Sequence, residues 1–386
     1  MRILFLDVCA QFLNPTRGYM PELLCKAGEV CFFGPGHVST EVLFRGLHAF
    51  VQEEGPFDII LMSPHVLFAR IYPDAIKPKV FNRSYVSSFR EGDLKALVNI
   101  SSDVEVINLP RLGVLLESDY FNWTEREISE LENKTDALVA MGEQFFLPRE
   151  KMVNLPREHF AGNSTDVWFN YASHNGNKIA NMLHIIGEHE FNDSNIKNRP
   201  YAWSVMGVDY YARSLAAGLL EQHGINWVKD GCGRKLASLM KKIIPGGREQ
   251  AWVLNYLNST FLRRLASARY SYTCGSGLDL PVRKFFEIPA TGTVLTCRPF
   301  AGFEAAGFID RQNAVVCEPE DIVDAHRWLE SDQSRAQHIA DAGRAMVIKN
   351  HSVKARSQQF KEIIRTVVAG TFSGGKWEQG TFKVTC

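Results

Sequence analysis

Residues 230 to 235 combine an acid, a thiol and two cations in one short segment. They are Asp230, Cys232, Arg234 and Lys235, and glycines at positions 231 and 233 flank the thiol. Glycine lets the chain turn sharply and present one side chain. A nucleophile or a ligand-binding group needs such presentation, which makes Asp230 and Cys232 candidates for that role. The alternative interpretation is an ordinary Asp-Gly turn.

A second segment has the composition of an anion-binding loop. Gly275, Ser276 and Gly277 are small residues that let backbone amides approach an anion, and they lie between a predicted strand and a predicted helix. Arg283 comes four residues before Glu287, so both side chains share one helix face. We predict that Arg283 and the helix N-terminus neutralise a phosphate. An i,i+4 ion pair between Arg283 and Glu287 is the alternative.

Further groups capable of acid–base work or anion binding lie in two other segments. Glu158 and His159 are in a polar stretch and could act as a base, although a solvated loop would have the same composition. Arg213 follows Gly207 near a predicted helix start. Its guanidinium could bind a sugar carboxylate at two points or form a structural salt bridge.

The elements that position these residues alternate in type along the chain. Short apolar runs predict strands and longer amphipathic stretches predict helices, a pattern typical of βαβ units with parallel sheets. We predict an α/β fold of two Rossmann-like domains facing across a cleft. The predicted units are a first domain over 1–165, a linker over 166–197, a second domain over 198–370 and a tail over 371–386. Ligands usually bind in such clefts, at the carboxyl ends of the strands.

Composition excludes several classes of function. The chain has 386 residues, with 43 Lys and Arg balanced by 43 Asp and Glu. This neutrality argues against a nucleic-acid partner, because phosphate contacts dominate that affinity. No apolar run is long enough to span a bilayer, and the first residues lack a secretory pattern, so we expect a cytoplasmic protein. Lys241 and Lys242 would favour peripheral association with the inner face of a membrane.

The region from 270 to 351 resembles a known family. It contains Arg283-Lys-Phe-Phe-Glu-Ile-Pro-Ala-Thr-Gly292, then Gly302-Phe-Glu304, Ala342-Gly343-Arg344 and His351. This pattern resembles the C-terminal nucleotide-sugar-binding domain of GT-B glycosyltransferases, in the group-1-like branch that includes spore-coat CgeB-like proteins. The resemblance implies a glycosyltransferase that binds a nucleotide-sugar donor in its C-terminal domain.

The resemblance also implies roles for two acids with seven residues between them. In these enzymes the second acid binds the ribose hydroxyls and the first lies near the donor sugar. Glu287 and Asp279 occupy those positions, with Asp279 in place of the usual glutamate. A carboxylate suits the ribose because it can accept from two neighbouring hydroxyls. The implied donor site therefore includes Asp279 and Glu287.

Among GT-B enzymes, the loop at 230 to 235 looks most like that of retaining β-Kdo transferases of bacterial polysaccharide and lipopolysaccharide assembly. These use CMP-Kdo and pass through a covalent sugar–carboxylate intermediate. The resemblance implies that Asp230 attacks the anomeric carbon, or that Cys232 replaces it where a carboxylate is expected. It further implies a second group that protonates or deprotonates the acceptor, for which Glu158 and His159 are the candidates. From their charge and position, Arg213, Arg234, Lys235 and Arg283 are expected to bind the donor.

No metal ion or other cofactor is expected besides the donor, because the sequence has no Asp-x-Asp cluster for a diphosphate-bound cation. The expected acceptor is a glycan or a lipid-linked glycan. Two alternatives stay open. One is a GT-B transferase that uses a UDP- or GDP-hexose, and the other is a two-lobed sugar- or nucleotide-binding protein without catalysis.

Overall fold

Two sheets of mainly parallel strands organise the chain, as seen in a computed structural model of the protein. The structure describes residues 1–9, 15–71, 91–116, 123–141, 166–192, 195–207, 210–228, 251–275 and 280–386.

The first sheet has eight strands in the order β2, β1, β3, β4, β5, β6, β12, β13. All neighbours pair in parallel except β12 and β13, which form an antiparallel hairpin. The strands are β1 Arg2–Leu6, β2 Glu29–Phe33, β3 Ile59–Met62, β4 Arg111–Leu115, β5 Ala137–Ala140, β6 Ile179–Asn181, β12 Gly375–Glu378 and β13 Thr381–Val384.

The second sheet has five strands in the order β8, β7, β9, β10, β11, and all its pairs are parallel. The strands are β7 Tyr201–Ser204, β8 Trp227–Val228, β9 Ala268–Thr273, β10 Val294–Cys297 and β11 Val315–Val316. Strands such as β3, β5 and β10 are buried along their whole length, as expected for parallel sheets covered on both faces.

Helices connect the strands of both sheets. In the first domain they are α1 Pro15–Ala27, α2 Thr40–Glu54, α3 Pro64–Leu67, α4 Glu91–Asp103, α5 Glu125–Lys134 and α6 Asp166–His174. In the second part of the chain they are α7 Tyr211–Gln222, α8 Ala251–Ala266, α9 Lys284–Ala290, α10 Ile322–Glu330, α11 Gln333–His351 and α12 Val353–Val368.

Side-chain caps fix where several helices begin. The carboxylate of Asp332 accepts from the backbone N–H groups of Ser334 and Arg335, both at 3.0 Å, at the start of α11. The hydroxyl of Ser352 accepts from the N–H of Ala355 at 3.3 Å and so starts α12 directly after α11. Such caps satisfy N–H groups that have no partner inside the helix.

Two segments cross between the domains side by side. The N–H of Ile186 donates to the carbonyl of His351 at 2.9 Å, and the N–H of Val353 donates to the carbonyl of Ile186 at 3.0 Å. After this crossing, α12 packs against α1 of the first domain. Residues 353–368, which the sequence assigned to the second domain, therefore lie against the first one.

The predicted linker and tail both contribute strands to the first sheet. Within 166–197 the structure has β6, which pairs with β5, and within 371–386 it has the β12–β13 hairpin, whose β12 pairs with β6. Both segments are short and rich in polar residues, so they carry little of the apolar pattern that indicates a strand.

The predicted helix over 281–290 is shorter in the structure. It begins at Lys284, three residues later than expected. The N–H of Val282 donates to the carbonyl of Leu280 at 2.8 Å, so residues 280–282 form a tight turn before the helix. Arg283 consequently lies at the helix start, where its side chain can leave the helix surface.

None of the helices in the described ranges is long and apolar enough to cross a membrane.

Candidate active site

A pocket of about 360 Å³ lies between the two domains. Its walls are the start of α1 from the first domain, the turn at Glu188–Glu190 in the crossing segment, and α8 and α9 from the second domain. Pockets of this size, placed between domains, are the usual sites of small ligands.

The floor of the pocket is an ion cluster centred on Arg283. Its Nη2 donates to both carboxylate oxygens of Glu190, at 2.7 and 2.9 Å, and to the carbonyl of Ile185 at 2.9 Å. Its Nη1 donates to Glu287, and the hydroxyl of Tyr19 donates to Glu190. One guanidinium therefore joins α1, the crossing segment and α9 through two carboxylates.

The cluster is stabilised in its ionised form. Burial alone would lower the pKa of the Arg283 guanidinium, but Glu190 and Glu287 raise it above its ordinary value. Burial would raise the pKa of Glu190, but Arg283 holds it below the ordinary range. Burial and the charge of Glu190 raise the pKa of Tyr19, so its hydroxyl keeps its proton at neutral pH. The ion pair predicted between Arg283 and Glu287 is present, and both residues also line the pocket.

One wall of the pocket is the polar face of α8, formed by Asn255, Asn258 and Ser259. The Ser259 hydroxyl donates to the carbonyl of Asn255 at 2.8 Å, as is common inside helices. Within the described part of the chain, the side-chain amides of Asn255 and Asn258 have no hydrogen-bond partner. Phe261 continues this wall with an aromatic ring.

Next to the pocket, two cations pack around a glycine after β7. Gly207 has φ of 108°, and a Cβ there would lie 2.4 Å from Arg213 Nη1 and from Lys284 Cε. Arg213 is buried, donates to the carbonyl of Met206 at 3.1 Å, and lies over the ring of Tyr210, 4.7 Å from its centroid. Of the two alternatives for Arg213, a salt bridge does not occur with any acid in the described ranges, and the guanidinium lies near the carboxyl end of β7.

Of the predicted anion-binding loop, the structure describes Gly275. It comes two residues after the end of β9, and its carbonyl accepts from the N–H of Leu280 at 2.7 Å. Gly275 therefore lies close to the edge of the second sheet where β9 ends.

On the first domain's side, a buried polar cluster lies where β1 and β3 end. Asp7 accepts from Arg17 and from the hydroxyl of Ser63, and Arg17 Nη2 donates to His65 Nδ1 at 2.8 Å. Burial would raise the pKa of Asp7, but the Arg17 guanidinium, with His65 and the hydroxyl of Ser63 beside the carboxylate, lowers it to about 2. This cluster ties the start of α1 to the sheet and so fixes the first domain's wall of the pocket.

Nine of the predicted site residues lie outside the described residues, and their placement stays a prediction. They are Glu158, His159, Asp230, Cys232, Arg234, Lys235, Ser276, Gly277 and Asp279. The structure brings Arg283 and Glu287 together in the pocket. Arg213 is near them, because Arg213 and Lys284, the residue after Arg283, both pack against Gly207. Within the ranges that are described, no group of three or more His, Cys, Asp or Glu side chains could hold a metal ion.

Sequence reasoning missed Tyr19, Glu190 and the amides of α8. Tyr19 and Glu190 are 171 residues apart, and a single sequence holds no signal for their contact. The α8 residues had a weak signal, because Asn255, Asn258 and Ser259 repeat at helical spacing within an otherwise apolar stretch.

Comparison with known proteins supports this description. A family model described as "Glycosyl transferase-like" matches residues 244–362, which is less than half of the chain. These residues include α8, Gly275, Arg283 and Glu287. No curated protein sequence matches the chain.

Several solved structures align with this chain over most of its length. HepE from Anabaena, solved in complex with UDP, aligns with a TM-score of 0.52 at 12% identity, covering 95% of this chain and 100% of that chain. The sucrose-phosphate synthase of Thermosynechococcus elongatus aligns with a TM-score of 0.48 at 12% identity, covering 96% and 100%. A glycosyltransferase from Rickettsia africae aligns with a TM-score of 0.47 at 13% identity, covering 95% and 98%.

At this identity the likeness to HepE establishes the fold, and it agrees with the two parallel sheets on either side of the pocket. The predicted fold class is confirmed. The chain therefore has the GT-B fold of glycosyltransferases and contains a glycosyltransferase-like domain over residues 244–362.

Proposed function

We propose that this chain transfers a sugar from a nucleotide-activated donor to a hydroxyl of a glycan acceptor. The observation that carries the proposal is the position of Glu287, which lies in the matched domain and lines a pocket that the first domain closes. A carboxylate at this place can accept from two hydroxyls of the donor ribose. A transferase needs both substrates in one cleft, and this arrangement supplies walls from both domains.

We propose that the anionic part of the donor binds at the carboxyl end of β7. Arg213 and Lys284 lie side by side there, packed on Gly207. A buried guanidinium without an acid partner in the described ranges supports binding of a phosphate or carboxylate. CMP-Kdo carries both groups, and it is the donor we propose first, with transfer to a bacterial polysaccharide or lipid-linked glycan.

Retention of configuration is proposed through a covalent intermediate. Asp230, or Cys232 in its place, would attack the anomeric carbon and release the nucleotide, and the acceptor hydroxyl would then displace the side chain. Glu158 or His159 would take the acceptor's proton. These roles are supported by the sequence resemblance, and intact-protein mass spectrometry after incubation with donor tests them through a sugar-sized increment at position 230 or 232.

A UDP-linked hexose is the second candidate donor. HepE, which shares the fold, was solved with UDP, and other HepE structures hold UDP-glucose or UDP and glucose. We propose for either donor that Arg213 and Lys284 supply the positive charge, so that turnover survives EDTA. The reaction would take place in the cytoplasm, with a lipid-linked acceptor at the inner membrane face.

Isothermal titration with CMP, UDP and GDP tests the proposed function. One nucleotide should bind, and Glu287→Gln should weaken that binding about 10-fold, or about 1.4 kcal/mol. Glu362→Gln, an exposed acid on α12, is the matched control and should leave the affinity unchanged. Binding of UDP without CMP would exclude the Kdo donor. Binding without turnover of any nucleotide sugar would favour a non-catalytic binding protein.

A further inference from the structure

Within the described ranges, the protein engages one of the two carboxylate oxygens of Glu287. Arg283 Nη1 donates to Oε1, and Oε2 accepts no hydrogen bond from any residue that the structure describes. The side chain is 10% exposed and lines the pocket. A guanidinium beside a carboxylate frequently binds both of its oxygens through two parallel N–H groups. The contact of Arg283 with a single oxygen therefore needs a cause.

The cause is Glu190, which holds the other end of the guanidinium. Arg283 Nη2 donates to both carboxylate oxygens of Glu190, at 2.7 and 2.9 Å, and to the carbonyl of Ile185 at 2.9 Å. With these acceptors around it, Nη2 has no hydrogen left for Glu287.

Glu190 is itself fixed by groups outside α9. Its side chain is 2% exposed, and its Oε1 accepts from the N–H of Gly187 at 3.3 Å and from the hydroxyl of Tyr19. Gly187 belongs to the crossing segment and Tyr19 to α1 of the first domain. Residues outside the second domain therefore set how Arg283 meets Glu287.

The two carboxylates share one guanidinium, so the charge of one affects the other. If Glu190 were uncharged, the attraction of Arg283 would be directed to Glu287 alone. Nη2 could then turn to Oε2 and complete the two-point contact. A carboxylate bound at both oxygens has fewer lone pairs left for two neighbouring hydroxyls.

We propose that Glu190 is a positioning residue for the donor, which acts by keeping Arg283 away from Oε2 of Glu287 and so sets the preference for ribose over deoxyribose. The inference rests on the proposed function, in which Glu287 binds the ribose hydroxyls. It adds the residue that keeps this carboxylate open to the pocket.

Titration of the full chain with the identified nucleotide and its deoxyribose counterpart tests the inference. Wild type should bind the ribonucleotide about 10-fold more tightly or better, as expected for a hydrogen bond to a charged group, and Glu190→Gln should reduce the preference to less than about 3-fold. Glu188→Gln, an exposed acid of the same turn, is the matched control and should keep the preference. Both nucleotides are measured on one preparation, so any unfolded fraction cancels in the ratio.

A double variant separates positioning from structural damage. Glu190→Gln/Arg283→Gln removes the guanidinium that would cover Glu287, so the ribose preference should return to within about 3-fold of wild type. General damage to the fold would leave the double variant no better than Glu190→Gln. If Glu190→Gln alone does not fold, the double variant decides, and loss of the preference there overturns the inference.

The outcomes separate this inference from the proposed function. If no nucleotide binds, or if Glu287→Gln keeps the ribose preference, the proposed ribose contact fails and the inference fails with it. If Glu287→Gln removes the preference while Glu190→Gln keeps it, the proposed function stands and the role of Glu190 alone is overturned.

Discussion

The guanidinium of Arg283 binds both carboxylate oxygens of Glu190, at 2.7 and 2.9 Å, and thereby fastens α9 to the segment that crosses between the domains. One nitrogen, Nη2, makes both contacts, and the opposite charges of the two groups strengthen them. Because Tyr19 of the first domain also binds Glu190, the position of α9 depends on residues from three parts of the chain.

Replacing Arg283 by lysine should destabilise the protein by about 3 kcal/mol, because a compact ammonium cannot satisfy two buried carboxylates at once. Denaturant unfolding measures the change. Arg365→Lys is the matched control, since Arg365 binds Glu362 at two points on the exposed surface, and it should change the stability far less. If the two variants lost the same free energy of unfolding, the buried contact would contribute no more to stability than the exposed one.

Asp7→Asn should lower stability at neutral pH and have a smaller effect in acid. The carboxyl of Asp7 has its pKa lowered to about 2 in the folded protein from 3.8. A lowered pKa stabilises the fold above about pH 4, and that contribution is lost as the pH falls from 4 toward 2. It amounts to about 2 kcal/mol at neutral pH. The difference in unfolding free energy between wild type and variant should fall by about half between pH 7 and pH 3 and further toward pH 2, and a difference that stays constant would contradict the assignment.

Trp377 should be essential for holding the C-terminal hairpin on the first sheet. Its ring stacks on His351 at 4.9 Å, lies under the Arg356 guanidinium at 4.5 Å, and its N–H donates to the carbonyl of Asn181 at 2.9 Å. Trp377→Ala should cost about 3–5 kcal/mol in an unfolding experiment. Trp377→Phe keeps a ring but loses the hydrogen bond, so it should recover most of that loss. If Trp377→Ala and Trp377→Phe had equal stability, the stacking of the ring would not be what holds the hairpin.

Gly207→Ala should weaken donor binding at least 10-fold. The residue has positive φ, and the added methyl group would collide with Arg213 and Lys284, which must then move. Titration with the identified nucleotide measures the loss. Gly218→Ala, on α7, is the control, since a Cβ there meets nothing within 4 Å. That change should leave affinity intact and stabilise the helix by up to about 1 kcal/mol.

The fold was predictable because its signals are local. The apolar run Arg2–Leu6 and the amphipathic stretch of α2 each show their hydrophobic pattern within a few residues. Because such strands and helices alternate along the chain, the parallel pairing of the strands could also be predicted. The strand β6 and the hairpin that begins at Gly375 were missed because they are stabilised by pairing with each other. The paired segments are far apart in the sequence: Trp377 and Asn181, which are joined by a hydrogen bond, are separated by 196 residues.

The site was predictable only where its spacing was fixed by one helix. Arg283 and Glu287 lie one turn apart, and their shared face follows from helix geometry. Their second partner, Glu190, comes from a turn with no periodic pattern, and its role depends on how the two domains meet. The charge of the pocket thus became apparent from the structure alone.

The pairing of β12 with β6 also sets an order of events during synthesis. Strands β7 to β11 are contiguous along the chain, so the second sheet can assemble as soon as those residues leave the ribosome. The first sheet, although it begins earlier, has an unpaired edge at β6 until residues 375–378 arrive. Unpaired edges attract other strands. The domain whose residues are made first is therefore completed last, when residues 375–378 pair with β6.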